Sequence, residues 1–252
     1  MIRWLEKVYA TWFALVFVGT FLLLYPAFLF LLSDPKYYSQ ANSLRRFWAR
    51  WILLFTAVSI RIEYENPRRA LPPKAVYVSN HTSYLDILSM ALVVPGNFMF
   101  LAKAELAKIP LFGIFFRTVD MAIARQNPAA AAQSYKQSLR RVGEGVSAIV
   151  FPEATIGKQV PNLKPFKQGA FKLALDAELP VVPVSLLSNF ILLPDGKGFR
   201  ARPGTMRIFV HETIDPKLLS LQNNNSLSQH IFKIIQNKLI AQNIITKHEE
   251  YK

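Results

Sequence analysis

The sequence predicts an α/β layered domain, a sheet with flanking helices, carried behind two N-terminal helices, the first apolar and the second amphipathic. Two observations carry that prediction. From Arg61 onward short β-branched runs alternate with helical stretches, the pattern of a layered domain. Ahead of them, Val8 to Leu32 is a run of 25 residues without a charge, and an amphipathic stretch follows from Asn42 to Ile60. A chain of 252 residues, 52% apolar, is long enough for one such domain and a lipid-facing element. The division is placed at residues 1–65 for membrane-docking helices and 66–252 for the α/β domain.

In chain order, the first apolar run would extend ~37 Å as a helix, against a hydrocarbon core of roughly 30 Å. It is longer than the core of a signal peptide, and Leu23 to Leu32 offers no small-residue cleavage site, so the segment reads as retained. Pro26 lacks a backbone donor and favours a kink, which leaves spanning and half-embedded paths both open. After the Ser33-Asp34-Pro35 break, Phe47, Trp51, Leu54, Phe55 and Val58 recur at helical spacing, with Arg46 and Arg50 on another side. That pattern fits a helix at the lipid interface, or one packed on the soluble domain. Lys36, Arg45, Arg46 and Arg50 outweigh Arg3 and Lys7, so the C-terminal side is expected to face the cytoplasm.

Strands are expected at Arg61–Tyr64, Ala75–Ser79, Met99–Ala102, Met121–Ala124, Ala148–Phe151, Val181–Leu186 and Met206–Val210. An alanine-rich helix over Ala129–Val142 stops at Gly143 and Gly145, and another over Gly169–Glu178 precedes Pro180. Gln222 to Asn225 reads as a loop before a C-terminal helix, and no internal repeat stands out.

A net charge of +14 calls for an anionic partner. With a deep apolar anchor present and no recognised nucleic-acid module, a lipid surface is the expected partner and nucleic acid is not. The basic stretches Lys158–Lys172 and Lys197–Arg207 suit anionic headgroups or other phosphate groups, and equally a solvated face. The chain has no cysteine, which excludes disulfides, zinc-thiolate sites and cysteine nucleophiles. No metal site and no bound cofactor are expected.

Among four histidines, His81 is the best placed. The block Asn80-His81-Thr82-Ser83-Tyr84-Leu85-Asp86 lies between an expected strand and an apolar stretch. Residues five apart diverge by about 140° on a helix, so His81 and Asp86 meet only if His81 is in the loop and Asp86 in the first helical turn. A loop histidine held by a first-turn carboxylate is a general-base arrangement. Ser83 and Asp86 also fit a helix N-cap with an acid at the third position. His211 is weaker, because Glu212 is its immediate neighbour, and neighbours on an extended chain point to opposite faces. Gly-x-Ser-x-Gly is absent, and Ser83 and Thr155 suit caps or turns, so the sequence offers no convincing covalent nucleophile.

Further blocks follow: Phe100–Leu106 with Ile109–Gly113, then Ile123-Ala124-Arg125, Phe151-Pro152-Glu153-Ala154-Thr155 and Val181-Val182-Pro183-Val184. Their order and spacing, over about residues 74 to 215, resemble the 1-acylglycerol-3-phosphate acyltransferase family. The resemblance implies a glycerolipid-acyltransferase-like sheet and an N-terminal two-helix membrane element. It implies transfer of a fatty acyl group from acyl-CoA or acyl-carrier protein to the sn-2 hydroxyl of lysophosphatidate. It assigns the catalytic pair to His81 and Asp86, and substrate contacts to Lys103, Arg125, Glu153 and Thr155. Three positions depart from the pattern: Ala154 for glycine, Ile156 for an arginine, and Ala124 for an aspartate. Isoleucine offers no bidentate grip on phosphate, so another lysolipid acceptor, or a noncatalytic lipid-binding role, stays open beside lysophosphatidate. Lys158, Lys164 and Lys167 are the cations available to compensate.

Overall fold

The computed structural model describes residues 2–124, 127–196, 198–217 and 224–246. It opens with α1 (Ile2–Leu31), a helix that runs unbroken through Pro26 and is long and apolar enough to cross a membrane. A short 3-10 turn capped by Asp34 leads into α2 (Tyr38–Phe55). One side of α1, through Ala10, Phe13, Phe21 and Phe28, packs on Trp48, Ala49 and Ile52 of α2. Trp12 donates its indole N–H to the Phe55 carbonyl at 3.0 Å, and the Glu6 carbonyl accepts from the Ala201 N–H at 3.2 Å. Toward its other end Phe28 meets Phe115 edge-on at 5.0 Å. The helix is therefore fastened to the rest of the chain along most of its length. Its other side exposes Trp4, Leu15, Leu23 and Phe30.

The second helix packs on the domain by one face and exposes apolar side chains on another. Ala41, Trp48, Ala49, Ile52 and Leu53 of α2 are buried, while Phe47 and Trp51 meet tilted at 4.7 Å and Trp51 and Phe55 edge-on at 5.9 Å on another face. Phe47, Leu54 and Phe55 are exposed as well, apolar area that water solvates poorly. The helix stops short of Ile60, however. Ala57 takes a positive φ of 50°, and Val58, expected on the helical stripe, is buried as the first residue of a strand. The seven-residue β-branched run has a sheet partner, and strand pairing outcompetes one more helical turn.

Arg45, counted above among the cytoplasmic charges, is instead buried. Its guanidinium grips Asp120 through two nitrogens, at 3.1 and 2.8 Å, and Asp120 also accepts the Phe100 N–H at 2.9 Å. Burial pushes the Asp120 carboxyl up, and the Arg45 charge pulls it back. Losing one member of such a buried pair typically costs about 3–5 kcal/mol. The pair rivets α2 to the sheet.

The sheet has seven strands: β1 (Val58–Tyr64), β2 (Val76–Ser79), β3 (Phe98–Lys103), β4 (Met121–Ile123), β5 (Ser147–Val150), β6 (Val181–Leu186) and β7 (Gly204–Val210). Their spatial order is β1-β7-β6-β2-β5-β3-β4. All neighbours are parallel except β6 and β7, which join the β1–β7 pair to the rest. Strand β1 lies within the segment assigned to the N-terminal helices, yet it is hydrogen-bonded along its whole length to β7.

Strands β2, β5 and β6 are buried at every position, as expected of parallel strands covered on both faces. Val76 and Val78 face one core with Phe171 of α6 (Gly169–Asp176) and Ile231 of α8 (Asn224–Ala241). Tyr77 points the opposite way, toward Met90 of α3 (Leu85–Val93). Helix α5 (Pro128–Gly143) adds Val142 to the first core, with Asn127 capping its start. Two four-residue helices, α4 (Ile114–Arg117) and α7 (Asn189–Leu192), were not anticipated. The helix α8 starts at Asn224, inside the expected loop.

Candidate active site

The carboxyl ends of parallel strands are where such sheets present their loops. His81 follows the end of β2, Glu153 and Thr155 follow β5, and Lys103 ends β3. Leu101 pairs with Val150, so Lys103 and Glu153 lie at the same edge of the sheet.

Asn80 prolongs the ladder by one artificial step. Its side-chain amide donates to the Leu186 carbonyl at 3.0 Å and accepts from the Leu186 N–H at 2.8 Å, as a peptide group would. The main chain then leaves the sheet, and His81 falls in the loop. Asp86 lies in the first turn of α3, the placement under which the two side chains can meet. His81 Nδ1 is 2.9 Å from Asp86 Oδ2. Since a carboxylate only accepts, Nδ1 carries the hydrogen, and in the neutral ring Nε2 is then the nitrogen with the lone pair.

The cap reading is satisfied by the same carboxylate. Asp86 Oδ2 accepts the backbone N–H groups of Thr82, at 2.5 Å, and Ser83, at 2.9 Å, while Ser83 Oγ accepts from Leu85 N–H at 3.1 Å. Asp86 is fully buried, whereas the His81 side chain keeps 15% of its surface exposed. An orienting acid out of solvent and a base within reach of it are what proton abstraction needs. One face of the imidazole stacks on Phe151, with centroids 4.2 Å apart and planes 16° from parallel.

Glu153, expected to contact substrate, is buried and spends both oxygens on main chain. Oε1 accepts the His81 N–H at 2.9 Å and Oε2 accepts the Lys164 N–H at 2.9 Å. Burial pushes its carboxyl up, and these two bonds pull it back. It thereby ties the loop after β5 to the loop after β2. Thr155 receives the Lys164 ammonium at 2.6 Å on its hydroxyl and 3.2 Å on its carbonyl. The intervening Ala154 adopts φ 70°, a left-handed conformation that suits glycine. Lys103 is half-buried, and no hydrogen bond among the described residues joins it to His81. Arg125 lies outside the described residues.

Phe151 and Asn189 escaped the sequence reading. Phe151 sits inside a block that was noted, but nothing local shows that its ring will face His81. Asn189 approaches Asp86 across a separation of 103 residues. Two residues of the basic stretches are engaged within the chain: Lys172 pairs with Asp176 at 2.7 Å, and Arg202 donates to the Ile191 carbonyl at 2.8 Å.

A family model described as Acyltransferase matches residues 61–187, half of the chain. The chain is 35% identical over 153 residues to a 1-acyl-sn-glycerol-3-phosphate acyltransferase of Chlamydomonas reinhardtii, covering 59% of this chain and 46% of that one. It is 31% identical over 140 residues to the 1-acyl-sn-glycerol-3-phosphate acyltransferase of Haemophilus influenzae, covering 54% and 58%. The chain spans about half the length of the curated relatives it matches. Its fold is similar to the crystal structure of the 1-acyl-sn-glycerophosphate (LPA) acyltransferase PlsC from Thermotoga maritima. That likeness has a TM-score of 0.78 at 21% identity and covers 99% of this chain and 100% of that one.

Proposed function

The chain belongs to the acyltransferase family, and from that premise we propose that it moves a fatty acyl group from a thioester donor to the sn-2 hydroxyl of lysophosphatidate at a membrane surface. The observation that carries this reading is the His81–Asp86 pair, a buried acid holding a partly exposed imidazole at 2.9 Å. In the proposed step, His81 Nε2 takes the acceptor's hydroxyl proton as that oxygen attacks the thioester carbonyl. The resulting imidazolium is stabilised by Asp86, and the proton returns to the departing thiolate. Acyl-CoA or acyl-carrier protein serves as donor, and no bound cofactor is required.

The exposed apolar faces of α1 and α2 support the membrane setting, with the α/β domain on the cytoplasmic side where donors are found. Lys103 and Arg125 are proposed to contact the acceptor. Lys164, anchored on Thr155, is the cation best placed to offset Ile156. The same isoleucine favours a second reading within the class, transfer to another lysolipid.

Purified protein in detergent, given labelled acyl-CoA or acyl-carrier protein and a panel of lysolipids, should transfer label most rapidly to lysophosphatidate. His81→Ala should lower kcat by about 10² to 10⁴ while keeping the parent's circular dichroism. Unchanged turnover in that variant would remove the base assignment. Preference for a different lysolipid selects the second reading, and no transfer from either donor rejects the enzymatic one.

A further inference from the structure

The carboxylate of Asp86 is held unevenly. Oδ2 carries three donors: His81 Nδ1, Thr82 N–H and Ser83 N–H. Oδ1 accepts from the side-chain amide of Asn189 at 2.8 Å. The same Asn189 nitrogen also donates to Ser89 Oγ at 2.8 Å, and Ser89 in turn donates to the Leu85 carbonyl at 3.1 Å. Asp86, Ser89 and Asn189 are all fully buried, so no bulk water is at hand to replace a lost donor.

The orientation of the amide is settled by its neighbours. A carboxylate oxygen can only accept, so the nitrogen of Asn189 must face it. That leaves Asn189 Oδ1 buried without a partner among the described residues. A native interior seldom tolerates such an atom, and each one calls for an explanation. Here both donor hydrogens are committed to the acid and its neighbouring serine, and the acceptor side is forgone.

We infer that Asn189 is a positioning residue for the His81–Asp86 pair, fixing the plane of the Asp86 carboxylate through Oδ1 so that Oδ2 stays aimed at Nδ1. Rotation about the terminal bond of an aspartate is soft and roughly two-fold. Anchored at one oxygen alone, the carboxylate swings, and its bond to the imidazole lengthens or bends with it. Anchored at both, it has one orientation. The segment bearing Asn189 is itself fastened to the same block: Leu186 exchanges two bonds with Asn80, and Ser83 Oγ donates to the Leu193 carbonyl at 2.7 Å. The stretch 186–193 thus acts as a base plate for 80–89. Asn189 lies just past residue 187, where the family match ends.

This inference rests on His81 being the base, and two variants separate the two claims. Asn189→Leu keeps the branched outline of the side chain, adds some volume and has no donor. Its kcat should fall by about 10- to 100-fold with KM for the lysolipid within twofold, because ring orientation and not substrate contact is lost. Asn189→Asp keeps the shape and can donate to Asp86 only while it holds a proton. Its kcat should therefore show an added ionisation, falling with rising pH across a range where the parent is flat. A purely structural role would lower stability in both variants and leave the shape of the pH profile unchanged. Should Asn189→Leu fail to fold, the pH profile of Asn189→Asp decides alone. If His81→Ala is inactive while Asn189→Asp follows the parent's pH profile with kcat within twofold, the Asn189 assignment falls and the base assignment stands. If His81→Ala turns over normally, the base assignment falls and takes this one with it.

Discussion

Two histidines of this chain lie at or just past the ends of strands with an acid beside ring Nδ1, and acid and ring are buried in opposite order at the two sites. His81 has its acid buried and its own ring partly open. His211 has the order reversed: its Nε2 is 2.8 Å from Ser185 Oγ, a fully buried hydroxyl, and its Nδ1 is 3.6 Å from Glu65, whose side chain is 49% exposed. The residue types at the second site would pass for a serine-histidine-acid triad. The hydroxyl is sealed in the sheet, however, and no substrate carbonyl can reach it. Its acid is solvated and too distant for a strong bond. Burial, which does the orienting work at His81 by enclosing Asp86, acts at His211 on the base itself and depresses its pKa to about 4.

The sharpest way to break this contrast is to remove the acid from each site. Asp86→Asn takes away the acceptor that holds the imidazole and replaces it with a group that competes as a donor. We expect kcat to drop by about 10² to 10⁴, together with about 1 kcal/mol of stability from the lost cap bonds. Glu65→Gln should leave turnover within twofold. Steady-state kinetics on the two proteins checks both, and equal losses would show that the two sites are not functionally distinct.

A smaller effect sharpens the other half of the contrast. With its pKa depressed to about 4, His211 is neutral in the folded protein under conditions where the unfolded chain binds a proton. The unfolded state therefore holds more protons between about pH 4 and 6.5, and stability rises with pH through that window. Glu65 opposes the shift and the Lys238 ammonium reinforces it. Denaturant titrations should show the protein losing stability on acidification from pH 6.5, and His211→Gln should flatten that dependence without changing kcat. A variant as acid-sensitive as the parent would assign the loss to other groups.

Much of this could be read before any coordinates. The Val181–Leu186 strand coincides with β6, and the other strands fall within a few residues of expectation, because β-branched runs bounded by turn residues are local signals. The His81–Asp86 pairing was legible for the same reason, since strand, loop and first helical turn lie within a few residues of one another. What escaped detection is long-range. Nothing near Asn189 points to Asp86, and nothing in Arg45 distinguishes a guanidinium bound to Asp120 across 75 residues from one facing lipid headgroups. Glu153 was found by its motif but given a substrate contact, whereas its oxygens hold the main chain of His81 and Lys164. Pattern identifies which residues matter, while their partners depend on how the strands are ordered in space.

The smallest effect concerns the turn that presents Glu153. Ala154 sits at φ 70°, where a Cβ crowds the backbone at a cost of roughly 1–2 kcal/mol. Glycine would relieve that strain, but it also widens the unfolded ensemble, which costs about 0.4–1 kcal/mol in the opposite direction. The net expectation for Ala154→Gly is a gain of up to about 1.6 kcal/mol, with Tm rising by about 2–4 °C for each kcal/mol gained in a chain of this size. The Ala154 N–H is already bonded to the Phe151 carbonyl at 3.0 Å, so the turn should keep its shape and Glu153 its two main-chain partners. Thermal unfolding in detergent measures the shift. A fall in Tm would mean that the alanine methyl contributes packing worth more than the strain, and that the loop over His81 is held by contact as well as by hydrogen bonds.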